Sequence, residues 1–96
     1  MSKRMTVQFT IKEGMAGEFE AHMANASTMV KTGDKGCEMY DLFKSVDDDT
    51  RYVLVESWAL EEDIEAHRKS PGMAEMNKIG PFLAGRPTIH RYEDGD

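Results

Sequence analysis

Nine residues, Arg51 to Ala59, constrain the fold more than any other stretch. They read RYVLVESWA, dense in β-branched and aromatic side chains that suit a pleated strand. With a side-chain period of two, Tyr52, Leu54, Glu56 and Trp58 share one face, and Val53, Val55, Ser57 and Ala59 share the other. Both faces are substantially apolar, so the strand needs cover on two sides. A chain of 96 residues has few helices to spare for that. It also buries only roughly 60–70% of the surface its unfolded form exposes. A second copy on the uncovered face meets both demands, and a homodimer is expected.

The segments around this strand have clear patterns of their own. Cys37 to Val46, CEMYDLFKSV, reads as a partner strand, joined to it by Asp47-Asp48-Asp49-Thr50, residues that bond their own backbone and resist pairing. Past Trp58, Leu60-Glu61-Glu62-Asp63 puts acids in a first helical turn, with Leu60, Ile64 and His67 on one inward face. Near the N-terminus, residues 4–12 alternate strictly, with Met5, Val7, Phe9 and Ile11 on one side. Glu13-Gly14 breaks that strand, and a helix follows whose apolar stripe is Met15, Phe19, His22, Met23, Ala26, Met29 and Val30. Gly33 is the expected left-handed C-cap. Ser70 and Pro71 have the character of an N-cap and first residue for another helix, with Met73, Met76 and Leu83 inward and Gly80-Pro81 weakening its last turn. Arg86 to Glu93 reads as a closing strand, and 94–96 as a frayed tail. The order β-α-β-β-α-β predicts one α+β domain over 1–96, a ferredoxin-like sandwich with a four-stranded antiparallel sheet.

Charge and cysteine usage narrow the function. Twelve Lys and Arg against eighteen Asp and Glu give a formal −6, with no basic face, so nucleic acid is not an expected partner. No apolar leader follows the first residues and no run approaches the ~20 residues of a bilayer span, so the cytoplasm is expected and a membrane is not. The single Cys37 excludes an intrachain disulfide and multi-cysteine zinc patterns, and it reads as a small hydrophobe at a strand start. The acidic turn lacks the spacing and distal Glu of a calcium loop. No metal is expected.

Seven residues are candidates for a site. His67 is the first choice for catalysis: its imidazole can take a proton from an acidic phenol near neutrality, or it can be a half-buried helical histidine bonded to a carbonyl. Trp58 suits an aromatic ligand and equally suits a core filler. His22 lies in the stripe of the first helix, as a cavity wall or a satisfied core histidine. Tyr40, Glu56, Tyr52 and His90 can line a pocket, their faces left open by a bulge near Tyr40, and Glu56 can instead pair with Arg91 or Arg86. The methionines Met5, Met15, Met23, Met29, Met39, Met73 and Met76 suit a deformable apolar interior.

Four phrases in order, Gly36-Cys37-x-x-Tyr40, Ser45-x-Asp47-Asp48, Val55-Glu56-x-Trp58 and Ala66-His67-x-x-Ser70-Pro71, resemble the antibiotic biosynthesis monooxygenase family across nearly the whole chain. The resemblance implies a protomer whose sheet packs face to face with its twin's, a dimeric α/β barrel. It implies oxidation of a quinol or other electron-rich aromatic by dioxygen without metal or flavin and strengthens His67 as the catalytic residue; Trp58, His22, Tyr40 and Glu56 are the substrate contacts expected from their own chemistry and positions. Two readings stand beside it: a dimeric carrier of a small apolar or aromatic molecule, and an isomerase or degradation enzyme using His67 with Glu56. The chain departs from the family where many relatives carry a second histidine after Ser-Pro, since that position is Gly72. Leu54 and Glu56 stand where one branch has an Asn, and the first strand offers Thr6, Gln8 and Thr10 where the haem-degrading branch needs one.

Overall fold

Alternation in the first and third strands puts both at the centre of one sheet. The computed structural model describes residues 2–93, and the expected tail at 94–96 lies outside them. Strand β1 (Lys3–Thr10) pairs antiparallel with β3 (Arg51–Trp58), setting Val7 opposite Leu54 and Phe9 opposite Tyr52. Strand β2 (Cys37–Lys44) flanks β3, and β4 (Thr88–Glu93) flanks β1, giving the antiparallel order β2-β3-β1-β4. The closing strand begins two residues later than expected, because Pro87 has no N–H to give a ladder.

Helix α1 (Ala16–Gly33) buries Phe19, Met23, Ala26, Ser27 and Val30 against the sheet. Gly33 stays inside the helix, and Asp34 ends it in an extended conformation rather than a left-handed cap. The positive φ falls instead on Gly36, at 80°. A Cβ there would meet the Asp63 carboxylate at 2.0 Å, so only glycine lets β2 start beneath that side chain. Asp63 is committed to helix α2 (Glu61–His67), accepting from the Leu60 N–H. Leu60 is therefore a cap position and is 49% exposed, which corrects the inward face expected of it. Only Ile64 and His67 of that trio are buried.

Helix α3 (Pro71–Met76) opens as the sequence predicts, with Ser70 Oγ accepting from the Met73 N–H. A 3-10 helix (Asn77–Phe82) carries Gly80 and Pro81. The helices and the inner face of the sheet share one core, in which Trp58, Tyr40, Phe19 and Leu54 are almost wholly enclosed. The other sheet face carries Val53 and Val55, partly buried, with Phe43 and Tyr92 each about half exposed. The result is the expected α+β arrangement, with β2 and β4 at the edges.

Candidate functional site

A register slip between Cys37 and Met39 decides what faces the helices. One extra residue in β2 moves Met39 to the outer face and brings Tyr40 opposite Glu56 on the inner one. Tyr40 is 1% exposed, edge-on to Trp58 with centroids 6.3 Å apart and to His67 at 5.5 Å. Trp58 lies 4.6 Å from the His67 ring, and its indole N–H donates to Glu56 Oε1 at 2.9 Å. Four expected site residues, Tyr40, Glu56, Trp58 and His67, thus form one cluster.

The cluster closes one end of a cavity of about 270 Å³ between the inner sheet face and helices α2, α3 and the 3-10 helix. Val7, Phe9 and Leu54 form its floor; Ile64, Met73 and Met76 are part of its roof. The exposed Ile89 and Arg68 mark its rim. Tyr40, Glu56 and His67 all border the space. Trp58 does not. It sits behind them with no exposed surface, so the ligand contact expected of it becomes a backing role, holding Glu56 through the indole N–H and stacking on His67.

His67 is held by a residue with no place among the sequence candidates. Its Nδ1 lies 2.6 Å from Asp34 Oδ2, with both side chains over nine-tenths buried. A carboxylate only accepts, so Nδ1 carries the hydrogen and Nε2 is left as the basic nitrogen. Ser70 Oγ donates to the same Asp34 oxygen at 2.9 Å. The Met73 N–H, Ser70, Asp34 and His67 therefore form one chain of bonds that fixes the imidazole from behind. No buried polar side-chain atom among the described residues lacks a hydrogen-bond partner. His67 Nε2 and Glu56 Oε2 have none among those residues, so each is in contact with open space, and both residues border the cavity.

The remaining candidates lie elsewhere. His22 Nε2 donates to the Glu75 carbonyl at 2.6 Å and its ring leans on Phe82, outside the cavity wall. That is the satisfied core histidine of the two readings. Tyr52 points its hydroxyl at Glu20, and His90 is exposed on β4 beside Tyr92. Glu56 makes no ion pair with Arg91 or Arg86: Arg91 is paired with Glu61 at 2.6 Å, leaving Glu56 to the indole. Of the methionines, Met5, Met73 and Met76 reach the cavity.

Burial sets the protonation of these groups. It pushes the Glu56 carboxyl above the usual carboxylate range, against opposing contributions from the Trp58 N–H and from His67. Burial, reinforced by Glu56, raises the Tyr40 phenol far enough that it stays protonated at any ordinary pH. Burial likewise lifts the Cys37 thiol to about 11, which agrees with a small hydrophobe rather than a nucleophile. Among the described residues no three His, Cys, Asp or Glu side chains are grouped to hold a metal ion.

A family model described as antibiotic biosynthesis monooxygenase matches residues 4–79. The chain belongs to that family. Among family-like proteins, YczJ of Bacillus subtilis (strain 168), itself uncharacterized, is 29% identical over 93 residues, covering 95% of this chain and 97% of its own. A Caulobacter crescentus CB15 structure, provisionally named an antibiotic biosynthesis monooxygenase, superposes with a TM-score of 0.91 at 23% identity, covering 99% of this chain and 91% of that one. Rv0793 from Mycobacterium tuberculosis gives 0.87 at 21% identity, covering 100% and 97%. These two likenesses establish the shared fold.

Gly72, where many family members carry a second histidine, has a structural reason. A Cβ there would stand 2.7 Å from Val30 Cγ2 and 3.1 Å from the Val30 backbone nitrogen. A side chain there would force Val30, and α1 with it, to shift. No helix among the described residues is long and apolar enough to cross a membrane.

Proposed function

We propose that this protein is a cofactor-independent monooxygenase that oxidises a small quinol or similarly electron-rich phenol with dioxygen. The observation that carries the reading is the buried Asp34–His67 pair, which leaves Nε2 as the basic nitrogen beside a largely apolar cavity. In this mechanism Nε2 takes the phenolic proton, and the resulting anion passes one electron to dioxygen. Superoxide and the ring radical combine at a ring carbon that bears hydrogen. The hydroperoxide then breaks its O–O bond: one oxygen stays as a carbonyl and the other leaves as water. The imidazolium balances the negative charge through these steps, and the apolar walls keep water from the radical pair.

Oxygen uptake by metal-stripped protein with a panel of hydroquinones, naphthoquinols and anthrones tests this, beside His67→Ala. Uptake above the autoxidation rate, lost in the variant, supports the reading; full turnover by His67→Ala refutes it. Gly72 favours a second reading, a non-catalytic carrier of the same ligands, because the second histidine of many relatives is missing there and a side chain would press on Val30. Ligand binding without any uptake across the panel selects it. The apolar cavity gives little support to an isomerase of polar metabolites.

The outer sheet face, with Val53, Val55 and Phe43, supports a homodimer packed sheet to sheet. Val55→Glu places a charge at the middle of that face and is expected to turn a dimer into a monomer in sedimentation analysis.

A further inference from the structure

Glu56 is the carboxylate at the cavity that the proposed proton transfer leaves unused; Tyr40, Arg68 and Asn77 are the other polar side chains of the lining beside His67. The residue is 4% exposed and lies on β3, on the sheet side, whereas His67 descends from α2. The two are linked through one indole: Trp58 bonds Glu56 Oε1 with its N–H and stacks on the His67 ring. They therefore stand apart by no more than that indole and its two contacts. Oε1 is occupied, and Oε2 is the atom left to meet a ligand.

Resting on the reading above, we infer that Glu56 is the specificity-determining residue, holding the second oxygen of a ligand whose first oxygen meets His67. The cavity then selects a one- or two-ring aromatic with neutral oxygens at both ends. A monophenol leaves Oε2 unpaired, and an aromatic carboxylate has to carry its charge out of water into a largely apolar cavity. Three observations agree. The volume, about 270 Å³, lies just below the ~300–1,000 Å³ usual for drug-sized ligands, which suits one or two rings rather than three or four. The remaining lining is chiefly aliphatic and methionine, so no other acid competes for the far oxygen. Burial keeps the Glu56 carboxyl toward its neutral form, in which Oε2 carries a hydrogen to donate.

The test is binding without turnover, by calorimetry under anaerobic conditions, with 1,4-dihydroxynaphthalene, 1-naphthol and 4-hydroxy-1-naphthoate. Wild-type protein should bind the diol about tenfold tighter than 1-naphthol, roughly 1.4 kcal/mol, beyond the twofold statistical factor of two equivalent hydroxyls, and the carboxylate weakest. Glu56→Gln, which can accept from the indole with its oxygen and donate with its amide nitrogen, should keep the preference. Glu56→Ala should reduce it to about twofold. Equal affinity for diol and monophenol in the wild type, absence of binding by all three, or an undiminished preference in Glu56→Ala overturns the inference. Should Glu56→Ala not fold, loss of the preference in Glu56→Gln overturns it and retention supports it. A protein that selects the diol and consumes no oxygen would defeat the oxygenase reading while leaving this one intact.

Discussion

His67 and His22 both project from helices, and both make a 2.6 Å hydrogen bond through one ring nitrogen. The partners differ. His22 gives its Nε2 hydrogen to a backbone carbonyl at the α3 C-terminus, a neutral bond whose product is a fixed helix pair. His67 gives its Nδ1 hydrogen to a buried carboxylate that is itself held by Ser70, and it keeps its other nitrogen for the cavity. A charged, second-tier partner stabilises an imidazolium when one forms; a carbonyl does so far less. Helical position alone does not tell the two rings apart. The chemistry behind the ring does.

The largest effect should come from His67→Ala, a loss of about 10²–10⁴ in kcat as expected for a general base, read by oxygen uptake. An unchanged rate would erase the distinction between the two rings. Asp34→Asn removes the charge behind the imidazole and should lower kcat on the order of 10–100-fold, with KM changed by less than about twofold. A drop confined to KM would mean that Asp34 shapes the cavity instead of orienting the base. His22→Ala should leave kcat within about threefold and cost about 1 kcal/mol of stability, measured by denaturant unfolding. Loss of activity without loss of stability would move His22 into the functional class.

The smallest effect concerns Glu56 and pH. Burial raises its folded-state pKa above the ordinary carboxylate value. The stability it contributes is therefore fully present below about 4.5 and declines as pH rises through the folded value. Glu56→Gln does not titrate, so its melting temperature should gain on the wild type as pH rises from about 4.5 toward 7. A gap that shrinks with rising pH would reverse the assigned direction.

Much of this molecule is legible from residue patterns because its strands alternate cleanly. Val7 and Phe9 on β1 and Leu54 and Trp58 on β3 all turn inward as their period requires. What escaped was decided between segments. Asp34 is 33 positions from His67 and sits between two glycines at a helix end, where a carboxylate reads as an ordinary loop residue. Gly33 and Gly36 are equally plausible sites for a positive φ, and the choice rests on Asp63, which arrives from α2 to occupy the Cβ space of Gly36. Leu60 continues an apolar spacing, yet its place before the first helical turn leaves it outside. Trp58 reads from sequence as a ligand contact, but Tyr40, Glu56 and His67 stand between it and the cavity; a bulge near Tyr40 is suggested by the sequence, and only the pairing of β2 with β3 places it between Cys37 and Met39 and turns Tyr40 inward.

The contact between Gly72 and Val30 limits the sequences within reach of this one. A histidine at position 72 would press its Cβ on the Val30 main-chain nitrogen as well as on its side chain. Trimming Val30 to alanine would clear only part of the way. The rest would have to come from a small shift of α1 against α3, so a histidine at this position carries a cost in the packing of two helices as well as any gain at the cavity.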